Sequence, residues 1–195
     1  MENNHPLGRL IDLDVFQNKP ISISRSTLNL DPRKCYICKR DAHICSRSKR
    51  HSTGVLLNFI TLEVKNYLVH QMGKIIKHSM MMELNLDDKF GLVSKHSNGS
   101  HEDMDYNLML QAQNAILPYL VELFSKGYES KDLTTLLESS RPIGIKAEEK
   151  MLEVTFGINA YKGLIFILGL TLLSLGYTIK HKQSFPHIFD NMMKI

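Results

Sequence analysis

The run from Gly163 to Tyr177, GLIFILGLTLLSLGY, carries no charged side chain. As a helix it is apolar on every side, so any fold of this chain must find cover for all of its faces. It falls short of the roughly 20 apolar residues that a bilayer span needs. A buried helix at the centre of an all-helical core is therefore favoured over a membrane helix, although Lys180, His181 and Lys182 follow directly. Gly169 and Gly176 within the run would let neighbouring helices come close.

Two further stretches show helical spacing. From Val55 to Met82 the apolar positions Leu56, Phe59, Ile60, Val64, Tyr67, Leu68, Met72, Ile75 and Ile76 predict one long helix or two joined end to end. Met104 to Phe124 repeats the pattern, and Pro118 is expected to bend or divide it. Ser130 to Leu137 begins with a serine cap, and Ala147 to Thr155 carries Glu148 and Glu149 in a first turn. At 195 residues and 43% hydrophobic composition the chain can bury a core in one large domain or two small ones.

The amino-terminal part reads differently. Leu10 to Phe16 alternates, so Asp12 and Asp14 would leave the same face of a strand, with Ile21 to Ile23 as its hairpin partner after Asn18-Lys19-Pro20. Two carboxylates so placed can hold Mg2+ against a nucleotide phosphate, or they are solvated acids on an exposed face. Residues 31 to 52 read as a loop with one or two helical turns. The expected fold class is α+β: a small mixed α/β segment over residues 1–60, then a mainly α-helical piece over 61–195.

Lys and Arg number 24 against 20 Asp and Glu, a net charge of +4. That excess is too mild to require nucleic acid and compatible with phosphorylated small molecules. It is concentrated in Arg33, Lys34, Lys39, Arg40, Arg47, Lys49 and Arg50, against the single acid Asp41, which suits an anionic ligand or a solvated basic loop. Three cysteines cannot all pair within one chain, and the start lacks the basic-then-apolar layout of a secretory signal, so a cytoplasmic location is expected. Cys35, Cys38, Cys45 and His51 have the spacing C-x2-C-x6-C-x5-H, with His43 as a further candidate. Thiolate with imidazole is what tetrahedral Zn2+ prefers. Reduced thiols beside a basic loop fit the spacing equally.

The densest chemistry lies in Gly91 to Asp105, which sets His96, His101, Glu102, Asp103 and Asp105 in a turn-rich segment with Gly91 and Gly99. Lys89, Lys95, His96, His101 and Lys162 can bind phosphates, and Asp103 or Asp105 can serve as metal ligand or general base. Gly157 to Gly163 places Asn159 and Lys162 between glycines at the mouth of the apolar helix, where backbone N–H groups can meet an anion.

These residues resemble two families. His5-Pro6-Leu7-Gly8-Arg9-Leu10-Ile11-Asp12-Leu13-Asp14-Val15, Leu30 to Cys35, Cys38, Cys45 and His51 resemble the carboxy-terminal part of the citrate lyase holo-acyl-carrier-protein synthases. That likeness implies a partial nucleotidyltransferase-like fold, nucleotide or metal contacts at Gly8, Arg9, Asp12 and Asp14, and the citrate lyase acyl carrier protein as partner. Lys89, Gly91-Leu92-Val93, Asn98-Gly99-Ser100-His101, Asp103-Met104-Asp105, Arg141-Pro142-Ile143-Gly144 and Gly157-Ile158-Asn159 resemble the amino-terminal part of the triphosphoribosyl-dephospho-CoA synthases. Those enzymes join the ribose of ATP to 3'-dephospho-CoA and release adenine. The resemblance implies ATP and 3'-dephospho-CoA as substrates, His101, Asp103 and Asp105 as the catalytic set, and Lys89, Asn98, Asn159 and Lys162 as nucleotide or phosphate contacts. No nucleic-acid or membrane partner is expected.

The chain departs from the synthase pattern. Where the family usually reads Pro-Lys-Pro-Gly-Leu-Val-Asp, residues 88–94 are Asp-Lys-Phe-Gly-Leu-Val-Ser; where it reads Gly-Val-Asn-Thr-His-Lys-Gly, residues 157–163 are Gly-Ile-Asn-Ala-Tyr-Lys-Gly. Ser94 thus replaces an acid and Tyr161 a histidine. With both families' other halves missing, three readings stand: a transferase, an inactive truncated remnant of a bifunctional protein, and a small zinc-binding interaction module.

Overall fold

The computed structural model describes residues 4–11, 16, 23–87 and 89–195, and the chain divides into two compact units, residues 1–68 and 69–195. In the first unit, hydrogen bonds from Gly8 N to His5 O, Leu10 N to Leu7 O and Ile11 N to Gly8 O close a 3-10 turn over Gly8–Leu10. The strand expected from Leu10 therefore does not begin there. Its remainder at Asp12 to Val15, and Ile21 of the partner strand, lie outside the described residues. Among the described residues no strand forms, and an isolated antiparallel bridge joins Lys34 to Asp41. The α+β expectation reduces, for what is described, to a mainly helical protein. Helix α1 (Ala42–Arg47) lies in the expected loop.

Helix α2 (Thr53–Asn85) realises the long periodic stretch as one continuous helix across the unit boundary. In the second unit its end buries Ile76, Met80 and Leu84, a stripe at i, i+4 and i+8. Helix α3 (Tyr106–Glu129) starts at Asp105, whose Oδ1 accepts from Leu108 N at 2.7 Å. Pro118 lies inside α3 and does not divide it. Pro118 is exposed, so water can take the carbonyl its missing N–H leaves free.

Helix α4 (Leu136–Val154) merges the two short helices expected at 130–137 and 147–155. Ser130 is not a helix start. Its N–H donates to Lys126 O and Gly127 O at the end of α3, and its hydroxyl turns the chain by donating to Asp132 O. Helix α5 (Lys162–Lys180) is the uncharged run. It is long and apolar enough, with mean hydropathy 1.7, to cross a membrane by length and composition. It packs on α3, α4 and the short α6 (His187–Met192), but only 39% of its apolar stretch is buried and Phe166 and Ile167 stay exposed, so the expected cover on every face is not found. Ser174 donates to Ile188 O at 2.6 Å and Asn191 Nδ2 to Thr178 Oγ1 at 2.9 Å, so the polar atoms of the α5–α6 contact are paired.

The core of this unit is Ala112, Ile116, Leu120 and Phe124 of α3 against Leu172 and Leu173 of α5 and Ala147 and Met151 of α4. At its centre the helices touch backbone to backbone. A Cβ on Gly127 would lie 2.0 Å from Leu173 O, and one on Gly176 would lie 2.3 Å from Phe124 O. Gly169 faces Leu123 less tightly, at 3.0 Å from its Cδ1. Gly127→Ala is therefore expected to destabilise the chain by about 3 kcal/mol, lowering the melting temperature by on the order of 10 °C. Gly163→Ala, where an added Cβ meets nothing within 4 Å, should leave the melt nearly unchanged in the same calorimetric comparison.

Candidate functional site

The loop between α2 and α3 is folded on itself by glycine. Gly91 and Gly99 take φ of 72° and 61°, and a Cβ on Gly99 would lie 2.5 Å from Gly91 O. Ser100 N donates to Gly91 O, and Ser94 N to Ser97 O at 2.7 Å, closing the loop on both sides of His96. Four other residues shape the entry to α5: Thr155 at the end of α4 accepts from Ile158 N, Phe156 and Gly157 adopt positive φ, and Asn159 Oδ1 accepts from Lys162 N at 3.1 Å. Both glycine-bounded segments then line one cleft of about 560 Å3. Leu92, Val93, His101 and Met104 come from the first, and Asn159, Ala160 and Tyr161 from the second.

The floor holds a polar pair that the periodicity reading passed over. Gln113 sits on the buried face of α3 between Ala112 and Ile116, and its Nε2 donates to Met80 O at 2.9 Å and to the Tyr161 hydroxyl at 2.8 Å. Its Oε1 is buried without a partner among the described residues. An amide on an otherwise apolar stripe is the signal that could have found it. Burial pushes the Tyr161 phenol up to about 12, opposed by the Gln113 hydrogen bond and helped by nearby Glu83. The phenol is therefore neutral at physiological pH and is a hydrogen-bonding group rather than a proton shuttle.

The predicted site residues are only partly gathered. His101 and Asn159 line the cleft, and Asp103 lies beside His101 at 4.0 Å between Oδ1 and Nδ1. Asp105 caps α3, and Asn98 sits on the loop with its carbonyl accepting from His101 N. Lys89 reaches Glu83, a cleft residue, with Nζ 2.8 Å from both its Oε1 and its backbone O. Lys162 does not join it. Its ammonium pairs with Glu148 at 2.5 Å and lines a neighbouring cleft of about 390 Å3 with Arg141, Ser140 and Gly144. Each cation already holds a carboxylate, so an incoming phosphate must compete for it. Ser94 is buried, and its hydroxyl accepts from His96 N.

In the first unit, Gly8 is buried, and Arg9 donates to Lys34 O and lies 5.0 Å above the Tyr36 ring. Asp12 and Asp14 lie outside the described residues. Cys35, Cys38, Cys45 and His51 bring one ligand atom each within 4.8 Å of one another. The N–H groups of Cys38 and Ile37 hold the Cys35 thiol below its ordinary value, and burial pushes the Cys45 thiol up to about 11.

Residues 70–193 match the family described as ATP:dephospho-CoA triphosphoribosyl transferase. The chain belongs to that family. Residues 1–67 match the family described as apo-citrate lyase phosphoribosyl-dephospho-CoA transferase, so both segments occur in one chain. Protein CitXG of Haemophilus influenzae is 32% identical over all of this chain and 43% of its own length. Protein CitXG of Leuconostoc mesenteroides subsp. cremoris is 35% identical over 90% of this chain and 40% of its own. A probable 2-(5''-triphosphoribosyl)-3'-dephosphocoenzyme-A synthase of Vibrio cholerae is 46% identical over 54% of this chain. The chain thus spans about two fifths of the CitXG relatives it matches. No solved structure matches it.

Tyr161 supplies a test of this geometry. With its folded value about 12 against an ordinary 10.0, the unfolded phenol ionises first as pH rises. Its contribution to stability is therefore complete below pH 10 and is lost between about 10 and 12. Tyrosinate absorbance of the parent minus that of Tyr161→Phe should develop near pH 12, and the parent should lose melting temperature over that interval faster than the variant.

Proposed function

We propose that this chain carries the triphosphoribosyl-dephospho-CoA synthase cleft of a citrate lyase maturation protein. In that reaction the 2'-hydroxyl of 3'-dephospho-CoA attacks C1 of the ATP ribose. The new O–C1 bond replaces the bond to adenine N9, the hydroxyl proton ends on adenine, and the product is 2'-(5''-triphosphoribosyl)-3'-dephospho-CoA. The observation that carries the reading is that the two segments resembling the synthase pattern, 91–105 and 157–162, line one cleft although they are separate in sequence. Its apolar walls suit a base and a pantetheine chain.

Within this reading His101, which lines the cleft with Asp103 4.0 Å away, is the group that handles the hydroxyl proton, and Asp105 holds the start of α3 in place. Asn98 and Asn159 orient substrate at the two loops. Lys89 and Lys162 meet phosphate only after giving up Glu83 and Glu148. Mg2+ is the metal suited to the phosphate-bearing substrates, and Asp12 and Asp14 of the first unit are its candidate ligands for the attachment step. That unit, with Gly8 and Arg9 on the nucleotide, contributes to attaching the finished group to the citrate lyase acyl carrier protein, and the setting is cytoplasmic. Domains 1–60 and 61–195 then correspond to attachment and synthesis.

Turnover by this chain is low, because a phenol near 12 and a buried serine stand where the resembled pattern places a histidine and an acid. A positioned acid–base group is typically worth about 100-fold or more. Adenine release from ATP should depend on 3'-dephospho-CoA and fall below detection in His101→Ala. It should rise at least about tenfold in Ser94→Asp combined with Tyr161→His. Adenine release that does not require 3'-dephospho-CoA, or that survives His101→Ala unchanged, would overturn the assignment.

A further inference from the structure

The first unit holds a cluster that triphosphoribosyl transfer does not use. Cys38 Sγ lies 3.4 Å from Cys45 Sγ and 3.4 Å from His51 Nε2, and all four candidate atoms, with that of Cys35, fall within 4.8 Å. Around zinc, with Zn–S of about 2.3 Å, tetrahedral thiolates stand about 3.8 Å apart. The cluster brackets that spacing. A disulfide would use two of the sulfurs and leave the third sulfur and the imidazole converging on nothing.

The backbone explains why they converge. Cys35 N donates to Arg40 O and Ala42 N to Arg33 O, both at 2.7 Å, folding Cys35 and Cys38 into a tight turn. Helix α1 then delivers Cys45, and Arg50 N returns to Cys45 O to aim His51. Soft thiolates select zinc over the hard cations that carboxylates hold. A zinc ion with three thiolates and a neutral imidazole carries a net charge of −1, which suits a segment with seven cations, Arg33, Lys34, Lys39, Arg40, Arg47, Lys49 and Arg50, and the single acid Asp41.

We propose that Cys35, Cys38, Cys45 and His51 bind one structural zinc ion, and that this ion positions Arg9. The link is Tyr36, in the turn between the first two ligands. Its hydroxyl donates to Arg9 O, its ring lies under the Arg9 guanidinium, and Arg9 in turn donates to Lys34 O. Arg9 lines a cleft of about 530 Å3 with Arg25, Arg33, Lys34 and the acid Asp31, and although Lys34 pairs with Asp41 at 2.6 Å the lining stays net positive, which suits a phosphorylated ligand. Removing the ion frees the turn that holds Tyr36 and so loosens the Gly8–Leu10 turn.

The experiment uses the full chain purified without chelator. Elemental analysis should find about one zinc per chain, falling to roughly a tenth in Cys38→Ser after dialysis. Cobalt(II) replacing zinc in the parent chain should give thiolate-to-metal charge-transfer bands, a readout that needs no variant to fold. Hydrogen exchange should then quicken on chelation at Gly8–Ile11 and at 33–52, with α3 unchanged. Absence of stoichiometric zinc together with a Cys38–Cys45 disulfide by mass, or zinc retained in Cys38→Ser and cobalt lacking thiolate bands, overturns the site. Bound zinc whose removal leaves exchange at Gly8–Ile11 unchanged overturns the positioning role.

Discussion

The second unit depends on a backbone-to-backbone crossing of α3 and α5. Gly127 meets the Leu173 carbonyl and Gly176 meets that of Phe124, at separations no Cβ could share. Glycine inside a helix costs roughly 1 kcal/mol per residue in propensity. Here that cost is offset because the close approach lets Phe124, Leu120, Leu172 and Leu173 interlock with almost no solvent exposure. The crossing also sets where α5 begins, and so where Tyr161 and Asn159 stand relative to α3.

The cleft follows from that placement. Tyr161 reaches the Gln113 amide on α3, and Gln113 reaches the end of α2 at Met80. One side chain therefore ties three elements together beneath the glycine-closed loop. Among the described residues its Oε1 has no partner, which leaves an acceptor for a water or a ligand group in the cleft floor. The cations around it are held by Glu83 and Glu148, so the site presents paired charges rather than a bare positive field.

Membership of the triphosphoribosyl transferase family and the match of residues 1–67 to a phosphoribosyl-dephospho-CoA transferase family put segments of two families on one chain. The two units accordingly differ in construction. The second is held by an apolar helical core. The described part of the first has few buried apolar side chains, and small folds of that kind commonly rely on a metal or similar cross-link.

Much was legible in sequence because it is local. The charge-free run had to be a helix, although its cover is partial and leaves Phe166 and Ile167 exposed; the i, i+3, i+4 spacing from Val55 had to be a helix, and Cys-x2-Cys with a later Cys and His can converge only if the chain turns. The motif residues of 88–105 and 157–163 carried the family for the same reason, since each motif is contiguous. What sequence could not decide was long-range. The strand read from Leu10 loses its first residue to the turn over Gly8–Leu10, and its middle, Asp12 to Val15, lies outside the described residues. Pro118 looked like a break, yet its exposed position leaves α3 whole. Only the packing of α5 on α3 put Tyr161 against Gln113 and turned Lys162 towards Glu148, away from Lys89. Spacing determines which face a side chain leaves from, and the crossing of two helices decides what that face meets.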